Sequence, residues 1–143
     1  MLDVTKPPAK AEPQWLTLMP DLDPPVEVQA RPASRADRMA AQAAARAVMR
    51  NGGDGFEGHV AYVMAMAQRV IVAWKGVGDA DGQPVDPTAD EKIRNPETNE
   101  VVEVIPGTIT NLMTLDAAYE AFEADYVLPL LTAEREANSE KKG

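Results

Sequence analysis

The chain has 143 residues, with 23 acidic and 14 basic side chains, 45% hydrophobic residues and no cysteine. This length fits one domain, and the lack of cysteine excludes disulfides, thiolate metal ligands and cysteine nucleophiles. The net charge of −9 disfavours binding to nucleic acid, because the phosphate backbone is also negative. No apolar run reaches the roughly 18 residues of a membrane span, and the first residues lack the apolar stretch of a signal peptide.

The first third of the chain predicts an arm followed by a β-hairpin. Residues 1–13 are polar and rich in proline, which is typical of a disordered arm. Residues 14–33 contain two short stretches, QWLTLM and VEVQARP, separated by PDLDPP. Because proline and aspartate favour turns, this pattern predicts two strands and a loose connecting loop.

Two helices are predicted over residues 34–76. Ser34 with Asp37 forms a capping-box pattern before an alanine-rich run, and residues 51–53 (Asn-Gly-Gly) end that run. A second helix is expected from Phe56 to Lys75, because apolar residues recur there at three- and four-residue steps.

The last part of the chain predicts a loop and a final helix. Residues 77–113 form the loop, in which residues 88–94 predict a helical turn and residues 99–107 a short hairpin or an extended loop. Residues 114–137 predict a C-terminal helix that is capped by Thr114 and is kinked or restarted at Pro129, and residues 138–143 a flexible tail. The expected fold is therefore α+β and mainly helical, with the hairpin packed on about three helices.

No catalytic, cofactor or metal site is predicted. His59 is the only histidine, and we expect it at the surface or near a helix cap. The acidic residues around Asp79 depart from the spacing of a calcium loop. The acidic pairs Glu120/Glu123 and Glu134/Glu136 lie opposite the apolar side of the last helix, and no nucleophile elbow or phosphate-binding loop occurs. These observations predict a non-enzymatic protein.

The seven methionines fit either an irregular core, as we expect for Met64, or an adaptable protein-binding surface, because flexible thioethers suit both. Met39 and Met49 lie on the alanine-rich helix. That helix also carries several arginines, which predict either a solvated face or contact with an acidic partner.

The run RVIVAWKGVGDADGQPV, residues 69–85, joins an apolar segment that ends in tryptophan to a turn rich in glycine and aspartate. With the VEVQARP segment and the closing helix, it resembles small proteins encoded among tail genes of phages and prophages, many from alphaproteobacteria, that look like tail assembly chaperones. An insertion at about residues 86–114 departs from that pattern. The motif positions are Trp74, Gly76, Asp79, Asp81, Gly82 and Pro84.

This resemblance implies binding to the tape measure protein and the tail tube protein in the host cytoplasm, before the tail polymerises. The expected partner-binding residues are Met39, Met49, Trp74 and Tyr126. The alternative is a structural subunit of the tail, connector or capsid that stays in the virion.

Overall fold

The computed structural model describes residue 5 and residues 12–141, with side chains through residue 136. The predicted arm, residues 1–13, falls almost wholly outside this part. Of the predicted tail, residues 138–141 continue a helix in their backbone, and residues 142–143 fall outside. The fold is α+β, as the sequence predicts.

The core of the fold is a three-stranded antiparallel sheet backed by helices. Its strands are β1 (Gln14–Met19), β2 (Val26–Ala30) and β3 (Ile71–Lys75), in the order β1-β2-β3. The buried residues of β1 and β2 alternate with more exposed ones along each strand. Because alternate residues of a strand point to the same side, one face of these strands is buried. The buried strand residues on that face are Leu16, Leu18, Val26, Val28 and Ala30.

Two helices separate the hairpin from the third strand. Helix α1 (Arg35–Arg50) begins with the predicted capping box of Ser34 and Asp37 and ends at Asn51. Gly52 follows with a φ of +95°, a conformation that glycine adopts without strain. Helix α2 (Gly55–Val70) begins at the N-cap Asp54, whose side chain accepts a hydrogen bond from the backbone of Glu57.

The prediction that the second helix runs to Lys75 is wrong. The helix ends at Val70, and residues 71–75 turn directly into β3. Trp74 of β3 lies opposite Val28 of the neighbouring strand β2. The β-branched and aromatic residues of this run suit a strand. Pairing with β2 makes the run a strand and not a continuation of α2.

The insertion contains a second sheet and a short helix. Strands β4 (Glu91–Arg94) and β5 (Val101–Ile105) pair antiparallel, so the helical turn predicted for residues 88–94 is wrong. Helix α3 (Thr108–Met113) follows. Thr88 does not start a helix; instead, its hydroxyl accepts a hydrogen bond from the backbone of Thr108 at 2.9 Å.

The C-terminal region is not the single helix predicted from Thr114. It comprises α4 (Asp116–Phe122), a π-helical turn (Glu123–Val127) and α5 (Leu128–Lys141). Thr114 caps the end of α3, where its hydroxyl donates to the carbonyl of Asn111. Pro129 has no backbone N–H, and the π-helical turn lies just before it, close to the predicted kink.

Candidate partner-binding groove

The motif at residues 77–85 folds into a tight turn organised by one side chain. The Oδ1 atom of Asp79 accepts hydrogen bonds from the backbone N–H groups of Asp81 and Gln83, both at 2.9 Å. The backbone N–H of Asp79 donates to the carbonyl of Gln83, and Gly78 forms a bridge with Pro84. The carboxylate of Asp79 therefore stabilises the turn and is committed to backbone amides.

Two glycines allow this turn to form. Gly76 has a φ of +80°, and a Cβ atom there would lie 2.2 Å from the carbonyl oxygen of Pro25. Gly82 has a φ of +77° with open space around it. Glycine is needed at Gly76 for both its conformation and the close approach of the hairpin, and at Gly82 for its conformation alone.

Trp74 attaches the end of the turn to the sheet. Its indole Nε1 donates a hydrogen bond to the carbonyl of Val85 at 2.6 Å, and its ring packs against the core. The segment after the turn is thus held close to β3.

The turn and β3 enclose an open groove of about 640 Å³. Its walls are residues 72–79 and 84–87, together with Pro24 and Gly82. Of the motif positions, only Asp81 stays outside this lining. We call the groove lined by these residues the Trp74 groove. β3 is the last strand of its sheet, so within the described part of the chain its second edge is unpaired.

Val72 is the most accessible large apolar residue of this groove, with 48% of its surface exposed. An unpaired strand edge offers backbone N–H and C=O groups to an added strand. The groove therefore combines hydrogen-bonding backbone with apolar walls, which suits an extended segment of another protein.

Helix α1 presents a second accessible surface. Only Asp37 and Ala41 of its 16 residues are buried, and Met39 is 58% exposed on the opposite side of the helix. Met49 is 53% exposed but turns towards α2, where a Cβ atom added at Gly58 would lie 3.1 Å from its Cγ atom. At 100° per residue, the two methionines lie about 80° apart around the axis.

An ionic cluster around the buried Asp37 fixes the start of α1. Asp37, 1% exposed, accepts two hydrogen bonds from Arg31 at 2.5 and 2.8 Å, one from Arg69 at 2.8 Å and one from the backbone of Ser34 at 2.8 Å. The hydrogen bonds from Arg31 contribute most to holding the pKa of Asp37 well below its usual range. The cluster joins the end of β2, the start of α1 and the end of α2.

Tyr126 lies in the core and not on an accessible face. It is 9% exposed, stacks on Phe122 with ring centroids 5.1 Å apart, and donates a hydrogen bond to the carbonyl of Arg31 at 2.6 Å. Burial raises its pKa to about 12. Its position identifies a structural role, and direct contact with a partner stays a prediction.

His59 forms a contact that the sequence did not indicate. Its Nε2 atom lies 2.7 Å from Oε2 of Glu123, which also accepts a hydrogen bond from the hydroxyl of Tyr119 at 3.3 Å. Burial, followed by the charge of Glu123, raises the pKa of Tyr119 to about 12. The cluster joins α2 to the π-helical turn, so Glu123 is not simply a solvent-facing acid.

The four predicted partner-binding residues thus occupy separate surroundings. Met39 lies on the outer face of α1, Met49 beside α2, Trp74 at the groove and Tyr126 in the core. Within the described residues, no cluster of three or more histidine, aspartate or glutamate side chains is arranged to hold a metal ion.

No family model, curated protein or solved structure matches the chain. Across residues 12–141, no helix combines the length and apolarity needed to cross a membrane.

Proposed function

We propose that the protein is a non-enzymatic tail assembly chaperone of a tailed-phage-like particle. It binds the tape measure protein, the tail tube protein or both in the host cytoplasm. The observation that carries this proposal is the Trp74 groove, because the residues that resemble the chaperone family build an open surface beside an unpaired strand edge.

The groove suits a segment of the partner that is extended before assembly. Such a segment adds to β3 through backbone hydrogen bonds and places its apolar side chains against Val72 and the walls of the groove. The outer face of α1, with Met39, offers a second contact for a helical part of the same partner. The acidic remainder of the chain keeps the complex from aggregating through charge repulsion.

Substitution in the groove tests this function. The chain is co-expressed with the tape measure and tail tube proteins of its own gene cluster and recovered through an affinity tag. Val72→Arg places a charge in the groove, and we expect co-purification to fall at least ~10-fold, which corresponds to about 1.4 kcal/mol.

Leu128→Arg is the matched control, because Leu128 is 45% exposed and lies outside the groove. It should leave co-purification unchanged. Undiminished recovery with Val72→Arg rejects the groove as the binding site, and no recovery of either partner by the unsubstituted chain rejects the chaperone function.

The exposed hairpin of β4 and β5 favours a second candidate function, a structural subunit of the tail, connector or capsid. Uncovered strands are typical contact elements in assemblies. Mass spectrometry of purified particles separates the two functions: stoichiometric presence supports the subunit, and presence in lysates alone supports the chaperone.

A further inference from the structure

The hairpin formed by β4 and β5 is firmly anchored at its base. The backbone N–H of Asp90 donates to the side chain of Gln68 on α2 at 2.9 Å. The carboxylate of Asp90 in turn accepts hydrogen bonds from the backbone of Gly107 at 2.9 Å and the hydroxyl of Thr110 at 2.6 Å. These bonds fix where the two strands leave the domain.

Beyond this base, the hairpin is uncovered. Every residue of β4 and β5 is exposed, and five of them are large apolar side chains with exposed fractions of 36–64%. An isolated two-stranded sheet is marginally stable in water. A hairpin about 17 Å long with this composition is expected to gain stability from a neighbour that covers it.

The register gives the two faces of the hairpin opposite charges. Glu91 lies opposite Ile105, and Ile93 lies opposite Glu103, so one side carries two glutamates and two isoleucines. We call this the acidic face. It comprises Glu91, Ile93, Glu103 and Ile105.

The other side carries the opposite charge. Lys92 lies opposite Val104 and, beyond a register shift that leaves Val102 out of the pairing, Arg94 lies opposite Val101; we call these two pairs the basic face. Of the ion pairs found in the described part of the chain, none involves a residue of this hairpin. The guanidinium of Arg94 donates one hydrogen bond to the carbonyl of Asn99 at 2.9 Å, but like the other charged groups of the hairpin it lies in no ion pair there, so its charge can pair with that of a neighbour.

We propose that the hairpin is a self-assembly element, and that the acidic face of one copy stacks on the basic face of a second copy. In this stack, each face contributes two β-branched residues to the centre of the contact, from which water is excluded. Its two charges of one sign pair with the two opposite charges on the face of the second copy. Sheets stack face to face at about 10 Å, a separation that glutamate, lysine and arginine side chains bridge.

Such a contact joins two different patches, so it is heterologous and repeats from copy to copy. Each copy contributes both faces and contacts two neighbours, giving a ring or a filament. Two faces of the same sign would repel each other, which disfavours a two-fold symmetric stack. One face is far smaller than the ~800 Å² per partner of a stable complex, so the association is weak and depends on concentration.

A charge-exchange experiment tests the proposal. One variant, Lys92→Glu with Arg94→Glu, has two acidic faces; the other, Glu91→Lys with Glu103→Lys, has two basic faces. Sedimentation equilibrium over a range of concentrations is expected to show masses above 15.4 kDa for the unsubstituted chain. Each variant alone should stay monomeric, and their equimolar mixture should associate again.

The matched control is Arg46→Glu with Arg50→Glu on α1, which changes the net charge by the same four units as the first variant and leaves the hairpin intact. This control should associate like the unsubstituted chain, and added salt should weaken the association of each. Circular dichroism confirms that each variant is folded. A monomeric unsubstituted chain at every concentration, or folded variants whose mixture stays monomeric, overturns the proposal.

Discussion

Asp37 is the buried charge on which three elements converge, and it makes the stability of the fold sensitive to acid. Its pKa is lowered in the folded state, first by the hydrogen bonds from Arg31. A carboxyl whose folded pKa is depressed contributes stability that is complete above its unfolded pKa, about 3.9. That contribution is lost as the pH falls below this value towards the folded pKa.

We therefore expect Asp37→Asn to lower the free energy of unfolding by about 2 kcal/mol at pH 7, since hydrogen bonds to a charged group are lost. The difference between the variant and the unsubstituted chain should shrink as the pH falls from about 5 to 2. Urea unfolding at several pH values measures it. Asp125→Asn, at an exposed position, is the control, and an equal loss there would contradict a special role for Asp37.

At the scale of single elements, the motif turn depends on two glycines for different reasons. Gly82→Ala places an alanine at a positive φ and creates no close contact, which should lower the free energy of unfolding by about 1 kcal/mol. Gly76→Ala adds a Cβ atom 2.2 Å from the carbonyl of Pro25, so strain and overpacking together should cost about 3 kcal/mol. Thermal unfolding of the two variants compares these costs directly. Equal melting temperatures would show that the contact with Pro25 is relieved cheaply.

Element boundaries could be predicted where short-range chemistry decides them. The capping box at Ser34 and the glycine after Asn51 are local signals, and both ends of α1 follow them. Residues 71–75 lack such a signal: their apolar spacing continues that of α2, and only pairing with β2 makes them a strand. Register between distant segments is tertiary information, which periodicity does not contain.

The same distinction applies to the candidate site. The motif from Trp74 to Pro84 could be singled out from the sequence, because glycine and aspartate mark a turn after an apolar segment. The groove itself could not, since it exists only because the turn folds back beside β3. The contact between His59 and Glu123, 64 positions apart, was equally beyond reach. His59 has no acidic residue four positions before or after it, so the sequence does not indicate its partner.

At the scale of the whole molecule, the hairpin of β4 and β5 is separable from the domain that carries it. All its strand residues are exposed, and the bonds that close its base involve Asp90, Gly107 and Thr110, which flank it. Because the side chain of Asp90 reaches the backbone of Gly107 at 2.9 Å, a Gly-Gly link between Asp90 and Pro106 can replace residues 91–105. The buried core contains no hairpin residue.

We expect this shortened chain to keep the stability of the full domain within about 0.5 kcal/mol, as exposed changes away from the core usually do. Urea unfolding followed by circular dichroism measures the stability. The same chain should be monomeric by sedimentation while the Trp74 groove still binds its partner, because the groove lies on β3 and the motif turn. A large loss of stability would mean that the hairpin supports the core, and it would then be wrong to treat assembly and folding as separate properties of this chain.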